Sequence, residues 1–273
     1  MRGGRLIIGV VIAIFSLISY YAMKEENPIT GENQAVGMTK DQELALGQQA
    51  APRMAQDFGG LDPSPELQAF IDEVGHKLVQ SSEARNTDWT FDFTLLGDAQ
   101  TVNAFALPGG PIFITKALLA RMSDEAQLAG VLGHEIGHVV ARHAAEQAAK
   151  TQLGQGLVGA VAVGTSNDAG YSAGGQMAQF VAQMTLMKYG REDALQSDSL
   201  GVRFMADAGY DPRALIDVMN ILEDASGGRA RGPEFSSTHP DPGNRKAVIE
   251  HAIRERFPNG VDGVTRGRTI SRN

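Results

Sequence analysis

Residues 6–22, LIIGVVIAIFSLISYYA, carry no charged side chain and present no polar face. Backbone surrounded by hydrocarbon must satisfy its own hydrogen bonds, so in a membrane this run has one conformation open to it, the α-helix. At ~1.5 Å per residue it is ~26 Å long, slightly short of a ~30 Å bilayer core, which fits an uncleaved anchor or a long secretory signal. Cleavage after Ala22 would put bulky Tyr20 where a small residue is preferred, and that favours the anchor. Arg2 and Arg5 precede the run, so the N-terminus is expected to stay cytoplasmic. The remainder then lies on the far side, which in a bacterial cell is the periplasm.

The chain has 273 residues, room for one domain of ordinary size plus attachments. Its formal charge is −8 and its lysines and arginines are scattered, so it lacks the basic face that nucleic acid requires. Cysteine is absent, which removes disulfides, thiolate metal sites and cysteine nucleophiles. A metal here must be held by His, Asp or Glu.

Residues 24–40 show no period and read as a linker. Thr39 and Gln42 form a capping box that opens a helix, which Pro52 is expected to kink or end. Ser64 and Pro65 open an amphipathic helix over 65–80, with Leu67, Phe70, Ile71, Val74 and Leu78 at helical spacing. Period-two alternation marks a strand at 89–96, and two shorter strands, 101–107 and 111–115, flank the turn residues PGG. A helix capped by Ser123 is expected to run to about Lys150. Residues 154–175, rich in Gly and Ala with Asp168 as the sole charge, fit a loop, a small-residue helix hairpin or a membrane-touching flap. Helices follow over roughly 176–207, after Asp211-Pro212, and after HPDPGNR. The expected organisation is an anchor or signal (1–23), a linker (24–40), a mainly helical α+β domain with a small sheet (41–257) and a loose tail (258–273).

Residues 134–138 read HEIGH. Residues four apart share a helix face, so the imidazoles of His134 and His138 can address one ion, and neutral imidazole is the usual nitrogen ligand of zinc. Glu135 sits ~100° around the helix, beside the ion, where it can take a proton from a water that the metal has acidified to a pKa of ~7. That is metal-assisted hydrolysis with Glu135 as general base. Gly133 and Gly137 let neighbouring backbone come close. His76, His143 and His251 read as surface histidines. The strand TVNAFAL, just upstream, can hold an extended peptide by main-chain hydrogen bonds, with Asn103, Ala104 and Phe105 as candidate substrate-binding residues.

Four segments in order, NAFALPGG, HEIGHVVARH, YGREDALQSDSLGVRFMADAGYDP and STHPDPGNR, resemble the zinc metallopeptidases that include HtpX, BepA and the CAAX prenyl protease. The resemblance covers roughly 40–255. It implies a gluzincin fold, one Zn2+ per chain held between two long helices, and endopeptidase activity on misfolded or mislocalised envelope proteins. In that family the third ligand is the Glu of a Glu-x-x-x-Asp pattern whose Asp orients the first histidine. The match puts that Asp at Asp198 and Ala194 where the ligand Glu stands. Glu192 and Asp193 are the neighbouring carboxylates that a local bulge would have to swing inward. His239 and Arg245 match a motif over the site, which implies that they hold a developing oxyanion or gate access. The expected function is therefore a membrane-attached zinc endopeptidase, with a non-catalytic peptide-binding or chaperone-like relative as the alternative that Ala194 favours.

Overall fold

The apolar N-terminal run is helical in the computed structural model, which describes residues 2–165, 190–226 and 244–270. Helix α1 (Arg2–Ala22) contains a stretch, Gly4–Ala22, long and apolar enough to cross a membrane, and most of that stretch is exposed. The chain after it is no tether. Strands β1 (Lys24–Glu26) and β2 (Asn33–Ala35) pair antiparallel as a hairpin that starts two residues past α1. Helix α2 (Lys40–Asp57) opens on the expected Thr39–Gln42 capping box. It runs through Pro52, whose position at mid-helix deletes one backbone bond without ending the helix. Helix α3 (Pro65–Ser81) is capped by Ser64 and buries Ile71, Val74 and Leu78, the face its spacing predicts.

Strands β3 (Asp92–Leu96), β4 (Ala104–Ala106) and β5 (Pro111–Thr115) form a mixed sheet of order β3-β5-β4, with β3 parallel and β4 antiparallel to β5. Successive side chains take opposite faces. Phe93, Leu95, Ile112 and Ile114 pack with α3, while Leu96, Phe105 and Phe113 pack with Leu46 and Met54 of α2. The sheet is thus covered by helices on both sides. A short helix, α4 (Lys116–Leu119), leads to α5 (Glu125–Val140), in which every residue is buried. The N-cap is Asp124, one residue later than expected.

The helix expected to continue to Lys150 breaks at Ala141–Arg142. Arg142 takes a positive φ of 57°, and α6 (His143–Thr165) leaves in a new direction. Beyond the break, α6 covers the first part of the Gly/Ala-rich segment in helical form. Residues 166–189, where the second long helix is expected to begin, lie outside the described residues. Helices α7 (Arg191–Asp207), α8 (Ala214–Ser226) and α9 (Arg245–Arg256) complete the body.

The tail after Phe257 is docked rather than loose. Arg268 and Arg266 carbonyls accept from Glu125 N and Ala126 N, two first-turn donors of α5 that have no intrahelical partner. Arg268 also pairs with the Glu125 carboxylate, and Tyr210 Oη donates to the same group. These partners outweigh burial and hold the Glu125 carboxyl down to about 2. Deleting residues 265–273 is therefore expected to lower stability by roughly 2–4 kcal/mol, since several part-buried bonds at ~1 kcal/mol each are lost together. Thermal unfolding of the truncated chain checks this, and an unchanged midpoint would show that the tail is dispensable.

Candidate metal centre

Helices α5 and α7 meet at glycine. A Cβ on Gly137 would lie 3.1 Å from Ser197 Cα, and one on Gly133 would lie 3.3 Å from Gly201 Cα. Small residues at the crossing bring the two backbones close enough for side chains on α5 to reach α7 directly. His134 uses that closeness. Its Nδ1 lies 2.8 Å from Asp198 Oδ1, both groups fully buried. The Asp198 carboxylate is also held by Arg245, from the first turn of α9, through Nε and Nη2, each at 2.7 Å. Burial opposes the Asp198 charge, but Arg245 and His134 together keep the carboxyl below the ordinary carboxylate range. Arg245 is thus committed to Asp198, with its guanidinium 3.4 Å from His134 Nδ1. Its place is behind the imidazole rather than over it.

His138 is supported from the other side. Its Nδ1 lies 2.9 Å from His143 Nδ1, and His143 Nε2 lies 2.8 Å from Gln196 Oε1. His143 was expected at the surface, and it is buried. The turn at Arg142 carries the helix axis around and brings His143 back onto His138. Burial lowers the pKa of both His134 and His143, so both imidazoles are held neutral.

The hydrogen-bond chain decides the tautomers. The Gln196 carbonyl oxygen only accepts, so His143 donates from Nε2 and accepts at Nδ1. His138 then donates from Nδ1 and keeps a lone pair on Nε2. The Asp198 carboxylate likewise takes the Nδ1 proton of His134 and leaves a lone pair on its Nε2. These two Nε2 atoms are 3.1 Å apart. Two Zn–N bonds of ~2.0–2.1 Å at a tetrahedral angle put their nitrogens ~3.3 Å apart, so the pair fits one shared cation.

The third position does not fit as well. Ala194 stands one turn before Asp198 on α7, fully buried, and its methyl group offers no donor. Glu192 is exposed, and Asp193 Oδ2 accepts from Gly190 N as the cap of α7. Among the described residues no cluster of three or more His, Asp or Glu side chains is arranged to hold a metal.

Glu135 is wholly buried beside the pair, and burial pushes its carboxyl up to about 8 against Arg245 and the Ala106 backbone. Ala106 belongs to β4, the end strand of the sheet, which packs on α5. Asn103, Ala104 and Phe105 are all buried there. The Asn103 Oδ1 has no hydrogen-bond partner among the described residues. His239 lies outside the described residues. A buried ion pair also anchors the far end of α5, where Arg142 donates to Glu43 from Nε and Nη2 at 2.8 and 2.6 Å and bonds Glu25 of the hairpin.

The pattern of peptidase family M48 matches residues 65–253. The chain is 29% identical over 236 residues to the beta-barrel assembly-enhancing protease of Yersinia pestis, an alignment covering 85% of this chain and 48% of that protein. It is 28% identical over 241 residues to the mitochondrial metalloendopeptidase OMA1 of Schizosaccharomyces pombe, covering 87% and 69%. Human mitochondrial metalloendopeptidase OMA1 is 26% identical over 251 residues, covering 87% and 47%. The chain spans about half the length of the bacterial and human proteins.

Proposed function

From the premise that the chain belongs to peptidase family M48, we propose that it is built as a membrane-anchored zinc endopeptidase whose third ligand position is empty of a donor. The observation that carries this is the approach of the two Nε2 atoms to 3.1 Å, each ring held by a partner on its opposite nitrogen. A metalloprotease role and polypeptide substrates follow from the family. Zinc as the ion, envelope proteins as the substrate class and the periplasm as the site of action are our reading. It is supported by the two-imidazole donor set, by α1, and by the name of the Yersinia relative.

When bound, the metal supplies a Lewis acid that activates water and polarises the scissile carbonyl. The residues of the chain do the rest. His134 and His138 would hold the ion, with Asp198 and His143 fixing the two rings. Glu135, whose ionised form a cation held beside it would favour against the burial that raises its pKa, would take the proton from the attacking water and pass it to the leaving amine. Strand β4 offers its backbone to an extended peptide at Asn103–Phe105. Arg245 acts through Asp198, and His239 is assigned to oxyanion binding or access. The hairpin over 24–35 and the tail to Ile270 belong with the catalytic domain, since both are bonded to α5.

With Ala194 in place, the purified full chain in detergent is expected to hold well under one zinc and to leave casein uncut. Stoichiometric zinc together with cleavage would mean that another side chain completes the set. Ala194 also favours a second reading, a protein that binds peptide along β4 without cutting it. Capture of an unfolded polypeptide with no turnover, unchanged by Ala194→Glu, would select it.

Removing the support of His138 gives a further expectation. His143→Ala should weaken zinc binding by about 10–100-fold, the usual loss when a ring-orienting partner is deleted. Titration against a chelating dye measures it, and His143→Asn, which restores one hydrogen bond, should recover part of the loss. Equal affinities in all three proteins would exclude the role.

A further inference from the structure

We propose that the C-terminal half of α6, residues 153–163, lies within the lipid bilayer beside α1, so that a second helix as well as the anchor holds the domain in the membrane. The inference rests on the reading of α1 as a membrane span.

The helix pair α1–α6 is among the most extensive in the molecule. The two run antiparallel. Lys150 lies within electrostatic reach of Tyr20, and further along α6 a Cβ on Gly156 would collide with Ser16 Oγ. Gly156 and the buried Ala160, four apart, form the small-residue stripe that lets two membrane helices approach. From Gly156 to Val163 the helix advances ~10 Å, which carries it beside the middle of the apolar stretch of α1.

Composition changes along α6 in step with this depth. Lys150 is its last charged residue, and Thr151–Thr165 contain none. Gln152 still bonds the Gly37 carbonyl at the domain side. Below it, Leu157, Val158 and Val161 point outward, with Val158 and Val161 each 65% exposed. They add to the exposed Phe15, Val11 and Ile8 of α1, the helix against which α6 packs. Apolar patches of that extent on a water-facing surface are rare, while a bilayer that already receives α1 covers both helices at once. A helix satisfies its own backbone, so α6 enters lipid without leaving peptide groups unpaired. Gln155 is the one polar side chain on this outward face, about one and a half turns below Lys150, within reach of the headgroups.

The absence of cysteine makes the test direct. Single variants Val158→Cys, Val161→Cys, Phe15→Cys and Asp88→Cys of the full chain are labelled with bimane and placed in phosphatidylcholine vesicles carrying bromine on the acyl chains. Asp88 is an exposed control on the soluble domain, and circular dichroism confirms that each variant retains the parent fold. Bimane emission at Val158 and Val161 is expected to be lost to the same degree as at Phe15, with none lost at Asp88. If Phe15 is quenched while Val158 and Val161 behave like Asp88, the anchor stands and the inference about α6 is overturned. If Phe15 is unquenched too, the anchor reading fails and takes the inference with it.

Discussion

Ala194→Glu is expected to turn this chain into one that retains about one zinc and cuts casein. Ala194 is fully buried, one helical turn before Asp198, and four-residue spacing puts it on the same face of α7 as that carboxylate. A carboxylate there would complete two imidazoles and one oxygen, the set that leaves a coordination position open for water. Zinc bound by four protein ligands is worth ~10–16 kcal/mol, so one ligand is worth roughly 3–4 kcal/mol, or about 10²–10³-fold in affinity. The same substitution carries a cost when metal is absent. It places a second buried carboxylate near Glu135, so in chelator the Ala194→Glu protein should melt below the parent, and with zinc above it. Adding Glu135→Gln should keep the zinc and remove cleavage by ~10²–10⁴-fold, which separates binding from proton transfer. If zinc content and melting are the same with and without Ala194→Glu, then position 194 does not address the ion.

The second large effect is on stability. Arg245→Met removes the cation that neutralises Asp198 at the junction of α5, α7 and α9. A buried charge left without its partner costs ~3–5 kcal/mol. For a domain of this size each kcal/mol moves the midpoint by ~2–4 °C, so a fall of roughly 10 °C is expected. The double variant Arg245→Met, Asp198→Asn should recover part of it, because the stranded charge is gone. A loss of only one or two degrees in Arg245→Met would show that water reaches Asp198, and that the clamp is not the joint between these helices.

How far these features were legible depends on whether their causes are local. The capping box at Thr39, the apolar spacing over 65–80 and the alternation of Phe93 with Leu95 act within one element, and each stands in the structure where the residues put it. The mutual aim of His134 and His138 follows from helical spacing alone. Asp198 was placed by a motif rather than by physics, since its partner His134 lies 64 positions away. His143 was missed because nothing in VVARHAAE marks a helix break. The break depends on Arg142 in a left-handed conformation, which its bonds to Glu43, Glu25 and the Met38 carbonyl compensate. A similar cause hid the hairpin and the tail. Both lack a hydrophobic period of their own and are ordered by the two ends of α5, the tail supplying carbonyls at the start and the hairpin supplying amides at the finish.

That last arrangement sets a length. Asn27 and Gln34 donate to the Val140 and Ala141 carbonyls at 2.9 and 2.8 Å, and Asn27 stands only five residues past the end of α1. On the proposal that α1 spans a bilayer, the link between membrane and the two histidines is therefore short, and the hairpin ties it to the end of α5. With α1 seated in a bilayer, the site works at one fixed altitude above the surface. Under that proposal, selection among substrates would depend on height as well as sequence: a peptide bond would be presented only if it lay in the thin layer of solvent at that altitude.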